Sequence, residues 1–344
     1  MRFNDIYVAG VASWLPPREP IGQGRYKPGE QEPYAYESAS VAGPDDAPPD
    51  MAIRAGRLAL ARSGVDPAEV SLLFHASVWY QGLDMWSPSS YIHHALLGEN
   101  RMAQAIDLNQ QCAGGVSALH LMADHLVANP DRRAAIVTTA ERYAPPGMDR
   151  WHTEGAHIIF GDGASSLVLA RDRGFARLLA VNSVADTTLE AMNRGDSKFT
   201  LFSPAAQGAV DIEARGDAFL KQMDGPKVVA RLNQGHADAV HGLLDEAGLK
   251  ISDVSRFIFP NIGLGLLTHM VNGLGIDVSQ TAWELGRTTG HVGPADPFIG
   301  LAYLLEQGQL SVGDRVMLAG IGYGWYWACA LVECVEIPDW SPAA

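Results

Sequence analysis

The chain has 344 residues, of which 47% are hydrophobic and 19% charged, and a formal net charge of −14. This is globular composition, long enough for a large core or two similar domains, and its acidity without a sustained basic run argues against nucleic acid and membrane partners. Three cysteines, Cys112, Cys329 and Cys334, are odd in number and lack paired spacing, so neither a disulfide framework nor a metal site is expected.

The opening stretch MRFNDIYVAGVASWLPP has an early acid and no long apolar core, so a cytoplasmic protein without a signal peptide is expected. AYESASVAGPDDAPPDMA (35–52) reads as a surface loop before the first helix. ALARSGVDPAEVSLLFHAS (59–77) follows: a helix end, a C-capping glycine at Gly64, a turn and a buried strand. WYQGLDMWSPSSYIHHALLG then places Trp79 and Trp86 in a loop-like stretch. AIDLNQQCAGGVSAL (105–119) turns from a strand stub into a helix whose Val116, Leu119, Ala123 and Leu126 recur at helical spacing. Cys112 sits at that helix start, where unpaired N–H groups and the helix dipole favour a thiolate, and Gly114 and Gly115 leave room for a substrate. Trp151 lies in a later loop, and His157 reads as a core histidine before the strand FGDGASSLVLA.

The second part repeats the first. LLDEAGLKISDVSRFIFPN (243–261) has the pattern of residues 59–77, with Gly248 at the position of Gly64. VGPADPFIGLAYLLEQGQLSVGDRVMLAG (292–320) matches CAGGVSALHLMADHLVANPDRRAAIVTTA (112–140), and GIGYGWYWACALVE matches FGDGASSLVLA. Strand–helix alternation predicts an α/β fold with two pseudo-symmetric halves, 1–171 and 226–344, joined by an inserted connection at 172–225. A pseudo-twofold axis would bring both helix starts to one centre. His291, in the glycine-flanked turn TTGHVGPAD, would then face Cys112 as a general base or acid. Either Asp296 or Glu284 is spaced to accept a hydrogen bond from its ring, and Asp296 equally suits the start of the helix near Pro297.

Together DLNQQCAGGVSALHLMADHL, TTAERY, IIFGDGASSLVLA, FIFPN and TTGHVGPADPFIGLAYLLEQGQLSVGDRVMLAGIGYG resemble the ketoacyl-ACP synthase III branch of the thiolase superfamily. The resemblance covers about 51–333 and implies a thiolase-like five-layered α-β-α-β-α fold, a homodimer, and an acyl group carried on the cysteine. The donor would be a CoA or phosphopantetheine thioester, with no further cofactor. Condensing members use a Cys–His–Asn set. Here Asn261 stands where their histidine is expected, and His291 where their asparagine is. That exchange resembles the acyltransferases of antibiotic pathways: a thiolate takes the acyl group, and His291 deprotonates a hydroxyl or amine of a sugar or polyketide acceptor. Asn261 would donate a hydrogen bond through its amide. Backbone N–H groups of Cys112 and of Gly322 or Tyr323 would form the oxyanion hole. A carbon–carbon condensing enzyme and a non-catalytic starter-unit partner subunit are the other expectations. The tryptophan- and arginine-bearing stretch with which the family receives CoA is missing, which favours an acyl carrier protein as donor, docked on Lys227 and Arg231. Trp79, Trp86 and Trp151 would line an acceptor cleft or anchor the dimer interface.

Overall fold

The computed structural model describes residues 1–21, 35–151, 158–201 and 208–340. Strand β1 (Ile6–Trp14) leads into a short ribbon of β2 (Arg18–Pro20) and β3 (Ser38–Ser40). Helix α1 (Pro48–Ser63), β4 (Val70–Ala76), α2 (Pro88–Leu97), β5 (Gln104–Leu108), α3 (Gly114–Ala128), β6 (Ala134–Glu141) and β7 (Gly163–Arg171) follow. Next come β8 (Ala176–Ala185) and the helices α4 (Ala191–Arg194), α5 (Ile212–Leu220) and α6 (Gly225–Ala247). The chain closes with β9 (Arg256–Ile258), α7 (Leu264–Leu274), α8 (Trp283–Thr289), α9 (Asp296–Glu306), β10 (Arg315–Gly322) and β11 (Tyr326–Cys334).

Among the described residues, nine strands form one mixed sheet in the order β5-β4-β6-β7-β1-β8-β11-β10-β9. The order mirrors itself about the β1–β8 joint, where only Tyr7↔Arg177 and Val8↔Ala176 pair. Outward from it run β1-β7-β6-β4-β5 on one side and β8-β11-β10-β9 on the other, with Thr281 bridging Phe257 where a fifth strand would lie. In each half the outer pairs are parallel and the pairs nearer the joint antiparallel. This is the duplication expected from the repeats. Both expected C-caps are present, with Gly64 at φ 61° and Gly248 at φ 70°, conformations that glycine adopts without a Cβ penalty. One boundary differs. β8 falls inside 172–225, yet it pairs with β11 along most of its length, so the segment without a counterpart begins after Ala185.

The layers follow from where apolar side chains gather. Leu119, Met122 and Leu126 of α3 and Phe298, Leu301 and Leu304 of α9 share one core with the inner faces of both sheet halves. Each such fully buried side chain contributes about 1.5–3 kcal/mol relative to exposure. Met51, Ala52, Ala55 and Ala59 of α1 cover one outer face with Ile92 and Leu96 of α2. Val240, Leu243 and Leu244 of α6 cover the other with Leu267 and Val271 of α7. The result is a thiolase-like α-β-α-β-α stack with α3 and α9 back to back at its centre. A Cβ on Gly115 would stand 2.3 Å from the carbonyl oxygen of Pro294, so this glycine lets the two helix starts touch. It makes room for the opposite half, not for a substrate as its position suggested.

Candidate active site

Cys112 lies in a single 3-10 turn, Gln111–Ala113, between β5 and α3. Gln111, just before it, has φ 50°, a left-handed conformation that costs a non-glycine residue on the order of 1 kcal/mol and is typical of sites that must aim a side chain. The end of β10 braces this turn. A Cβ on Gly322 would lie 2.5 Å from the Gln110 carbonyl oxygen, and one on Gly320 3.0 Å from Ala113 Cα. Only glycines allow a strand to press so closely on the nucleophile turn.

His291 is fixed through its backbone. Its N–H donates to the Ile159 carbonyl at 2.7 Å, and its carbonyl accepts from Gly161 N at 2.9 Å. Its ring Nε2 stands 3.2 Å from Cys112 Sγ, and its Nδ1 2.5 Å from Asp296 Oδ2. Asp296 begins α9 and also accepts from the backbone N–H groups of Asn261 and Val292, both at 2.8 Å. The three side chains are buried. Burial opposes a charge on the imidazole, but the Asp296 carboxylate and then the Cys112 sulfur outweigh it and raise His291 to about 10. The ring is therefore held as an imidazolium facing the Cys112 sulfur. Of the two acids spaced to orient the ring, the structure selects Asp296, because Glu284 is exposed and pairs with Arg287.

Asn261 is placed differently from its expected role. Its side-chain amide nitrogen donates to the Gly290 carbonyl at 3.2 Å, its backbone carbonyl receives the Tyr36 hydroxyl at 2.5 Å, and it is not among the residues lining the cavity. It shapes the turn that carries His291. Its expected place as an amide donor at the reacting carbonyl is not where the side chain lies, because that position read residue identity without side-chain direction.

Cys112 and His291 open into a cavity of about 430 Å³ between β10–β11 and the helices α5, α6 and α7. Its walls are mostly apolar, including Ile262, Leu232, Met270, Trp325 and Trp327. Tyr323 lies on this wall, whereas Gly322 lies beneath the nucleophile turn. Burial and then the Cys112 sulfur push the Tyr323 hydroxyl above its usual range. His236, also on the wall, is held down to about 4 by burial and then by His241 and His269, so its ring stays neutral. Trp79, Trp86 and Trp151 do not line this cavity; Trp79 packs on Tyr143, at 6.2 Å between ring centres, and Trp86 on Tyr91. Lys227 and Arg231 lie on α6, already paired with Asp224 and Asp186. His157 lies outside the described residues.

Behind the triad is a group that the sequence reading passed over. Glu141, fully buried at the end of β6, accepts the N–H groups of Val78 at 2.5 Å and Trp79 at 3.0 Å. Burial raises its carboxyl to about 8 against those donors. Neighbouring Tyr143 carries a buried hydroxyl without a hydrogen-bond partner among the described residues. A Cβ on Gly293 would meet that hydroxyl at 2.7 Å, which places it beside the His291 turn. The fragment TTAERY carried both residues, but nothing in its spacing marks them as buried. Asp162, in the GDGA stretch, binds Arg150 through both oxygens and receives the Tyr143 N–H, locking this loop to the sheet.

A duplicated five-layer fold with a cysteine and a histidine meeting at its two central helix starts defines a protein of the thiolase fold. Comparison with known proteins narrows this. Family models described as 3-oxoacyl-[acyl-carrier-protein (ACP)] synthase III and its C terminal match residues 106–187 and 244–334. The beta-ketoacyl-[acyl-carrier-protein] synthase III of Clostridium perfringens is 25% identical over 291 residues, covering 84% of this chain and 85% of that protein. Among solved structures, ChlB3, an acyltransferase, is 33% identical with a TM-score of 0.90, over 98% of this chain and 100% of its own. A 3-oxoacyl-(acyl carrier protein) synthase III from Xanthomonas oryzae, at 20% identity and a TM-score of 0.78, covers 97% of this chain and 100% of its own and shares the fold. The chain belongs to the 3-oxoacyl-ACP synthase III-like family of the thiolase superfamily. No helix among the described residues is long and apolar enough to cross a membrane.

Proposed function

We propose that the protein is an acyltransferase that moves an acyl group from a CoA or acyl-carrier-protein thioester, through Cys112, to a hydroxyl or amine of a sugar- or polyketide-type natural product. The observation that carries this reading is the Cys112–His291–Asp296 relay, with Sγ to Nε2 at 3.2 Å and Nδ1 to Oδ2 at 2.5 Å. The Cys112 thiolate attacks the thioester carbonyl. As the donor's carbon–sulfur bond breaks, the departing thiolate takes the proton from His291. Acylation removes the thiolate charge that favoured the imidazolium, so the ring is left neutral. It then takes the proton of the incoming hydroxyl or amine as that atom attacks the acyl carbon, and the Cys112 thiolate leaves. Backbone N–H groups of Cys112 and Tyr323 are assigned to the carbonyl oxygen in both steps.

The alternative is condensation, the activity named for the synthase III relatives. Forming a carbon–carbon bond by decarboxylation calls for two neutral donors at the enolate oxygen. A histidine tied to a carboxylate and an asparagine turned to Gly290 fit that task poorly. Intact-mass analysis after incubation with acyl-CoA and acyl-carrier-protein panels tests the proposal: an acyl adduct on Cys112 is expected. Robust carbon dioxide release and a carbon–carbon product from a malonyl carrier would replace the proposal with condensation. The exposed face of Leu83, Met85 and Trp86 is where we place the second copy of a homodimer, since such apolar patches mark interaction sites.

A further inference from the structure

A second hollow lies next to the apolar cavity. About 560 Å³ in volume, it shares Asn193 and Tyr323 with the apolar cavity and is bordered by Gln111, the residue before Cys112. Its character is opposite. Arg194, Lys198 and Arg215 line it with Glu190 as the one carboxylate, and Glu190 is held by Arg194. Arg215 spends one N–H on the Asn193 carbonyl, and Lys198 makes no ion pair among the described residues. In a chain of net charge −14, three basic residues around one cleft, of which only Arg194 is committed to a carboxylate among the described residues, stand against the general field of the molecule. All three belong to the segment after β8 that has no counterpart in the first half.

We infer that this cleft is the acceptor site and that it takes a small acceptor carrying phosphate close to its reacting hydroxyl or amine, a sugar phosphate or sugar nucleotide in chemical class. The inference rests on the acyl-enzyme reading above. The apolar cavity suits the donor's acyl group and arm, which leaves the polar cleft for the molecule that collects the acyl group. The Arg215 guanidinium and the Lys198 ammonium match phosphate oxygens with charge-assisted hydrogen bonds, and the volume is that of a small-molecule site. A carrier protein as acceptor fits less well, because its phosphate lies a long arm away from its reacting thiol, whereas these cations sit beside Gln111 and Tyr323.

Inorganic pyrophosphate, titrated calorimetrically into the full-length protein at low salt, tests this. Binding is expected, with about tenfold or greater weakening in Lys198→Glu and in Arg215→Glu, the scale of one lost hydrogen bond to a charged group. Lys250→Glu, outside the cleft, should bind as the parent does. Pyrophosphate should not slow acylation of Cys112 by a thioester donor. Absence of binding, equal binding by all variants, or inhibition of acylation would each overturn the assignment, the last by giving the cleft to the donor's phosphate. Failure of Cys112 to acylate at all would sink the acyltransferase reading instead, and the calorimetric result would still be read on the same protein.

Discussion

Cys112 and His291, 179 positions apart in the chain, meet with 3.2 Å between sulfur and Nε2. The contact joins the first turn before α3 to the turn before α9, so it depends on the duplication and not on either half alone. Removing the sulfur with Cys112→Ala should abolish any acyl adduct seen by intact mass. His291→Ala should still acylate, more slowly, because the helix start continues to favour a thiolate. Transfer to the acceptor should fall by about 100-fold or more, the scale of lost general-base catalysis. Equal transfer rates in variant and parent would remove His291 from the relay.

Asp296→Asn tests what sets the charge of the ring. The amide oxygen still accepts one hydrogen bond, but the carboxylate that opposes desolvation of the imidazolium is gone. His291 should then lose its proton at much lower pH than the value of about 10 it holds in the parent. The acylation rate, which needs the imidazolium to protonate the leaving thiol, should accordingly decline at lower pH in the variant. A superposable pH–rate profile would show that Asp296 does not govern the ring.

The buried Glu141 gives a pH dependence of stability. Its folded carboxyl is raised to about 8 from the ordinary 4.5, so the folded state binds more protons than the unfolded between those values. Stability therefore falls as pH rises from 4.5 to about 8. His291 adds a loss of the same sign between 6.5 and about 10, since its raised value stabilises the fold only while it is protonated. In urea titrations across pH 5–8, Glu141→Gln should lower stability overall, because one of the Val78 and Trp79 N–H groups loses its acceptor, and should flatten the slope. A parent-like slope would place the titration elsewhere.

Gly115→Ala should be costly for a residue so small. The added methyl group would meet the Pro294 carbonyl oxygen, a backbone atom, at 2.3 Å. Overpacking of this kind costs about 1–3 kcal/mol, and relief by separating α3 from α9 would widen the Cys112–His291 gap. Both a lower urea midpoint and a slower acylation are expected.

Much of this was legible from sequence because it was written twice. The capping glycines Gly64 and Gly248, the paired helix starts, and hence the meeting of Cys112 with His291, follow from the offset between repeats. What stayed hidden depends on side-chain direction and depth, which no spacing encodes. Asn261 occupies a position aligned with the site but turns its amide into the Gly290 turn. Trp79, Trp86 and Trp151 lie in loops yet do not reach the cavity, while Trp325 and Trp327, in what reads as an ordinary strand, line it. Glu141 ends β6 and Tyr143 follows it, in a stretch whose burial appears only when the halves close. β8 was hidden for a related reason: it lies in sequence inside the apparent insertion, and only its pairing with β11 reveals it as the twin of β1.

Asp296 grips the backbone at Asn261 and Val292 as well as the ring of His291. Because its partners all lie beyond residue 260 and the sulfur lies at 112, a ribosome must translate past residue 296 before the thiol acquires its proton partner. The nascent chain consequently carries a cysteine without its partner histidine until both repeats have been made and docked.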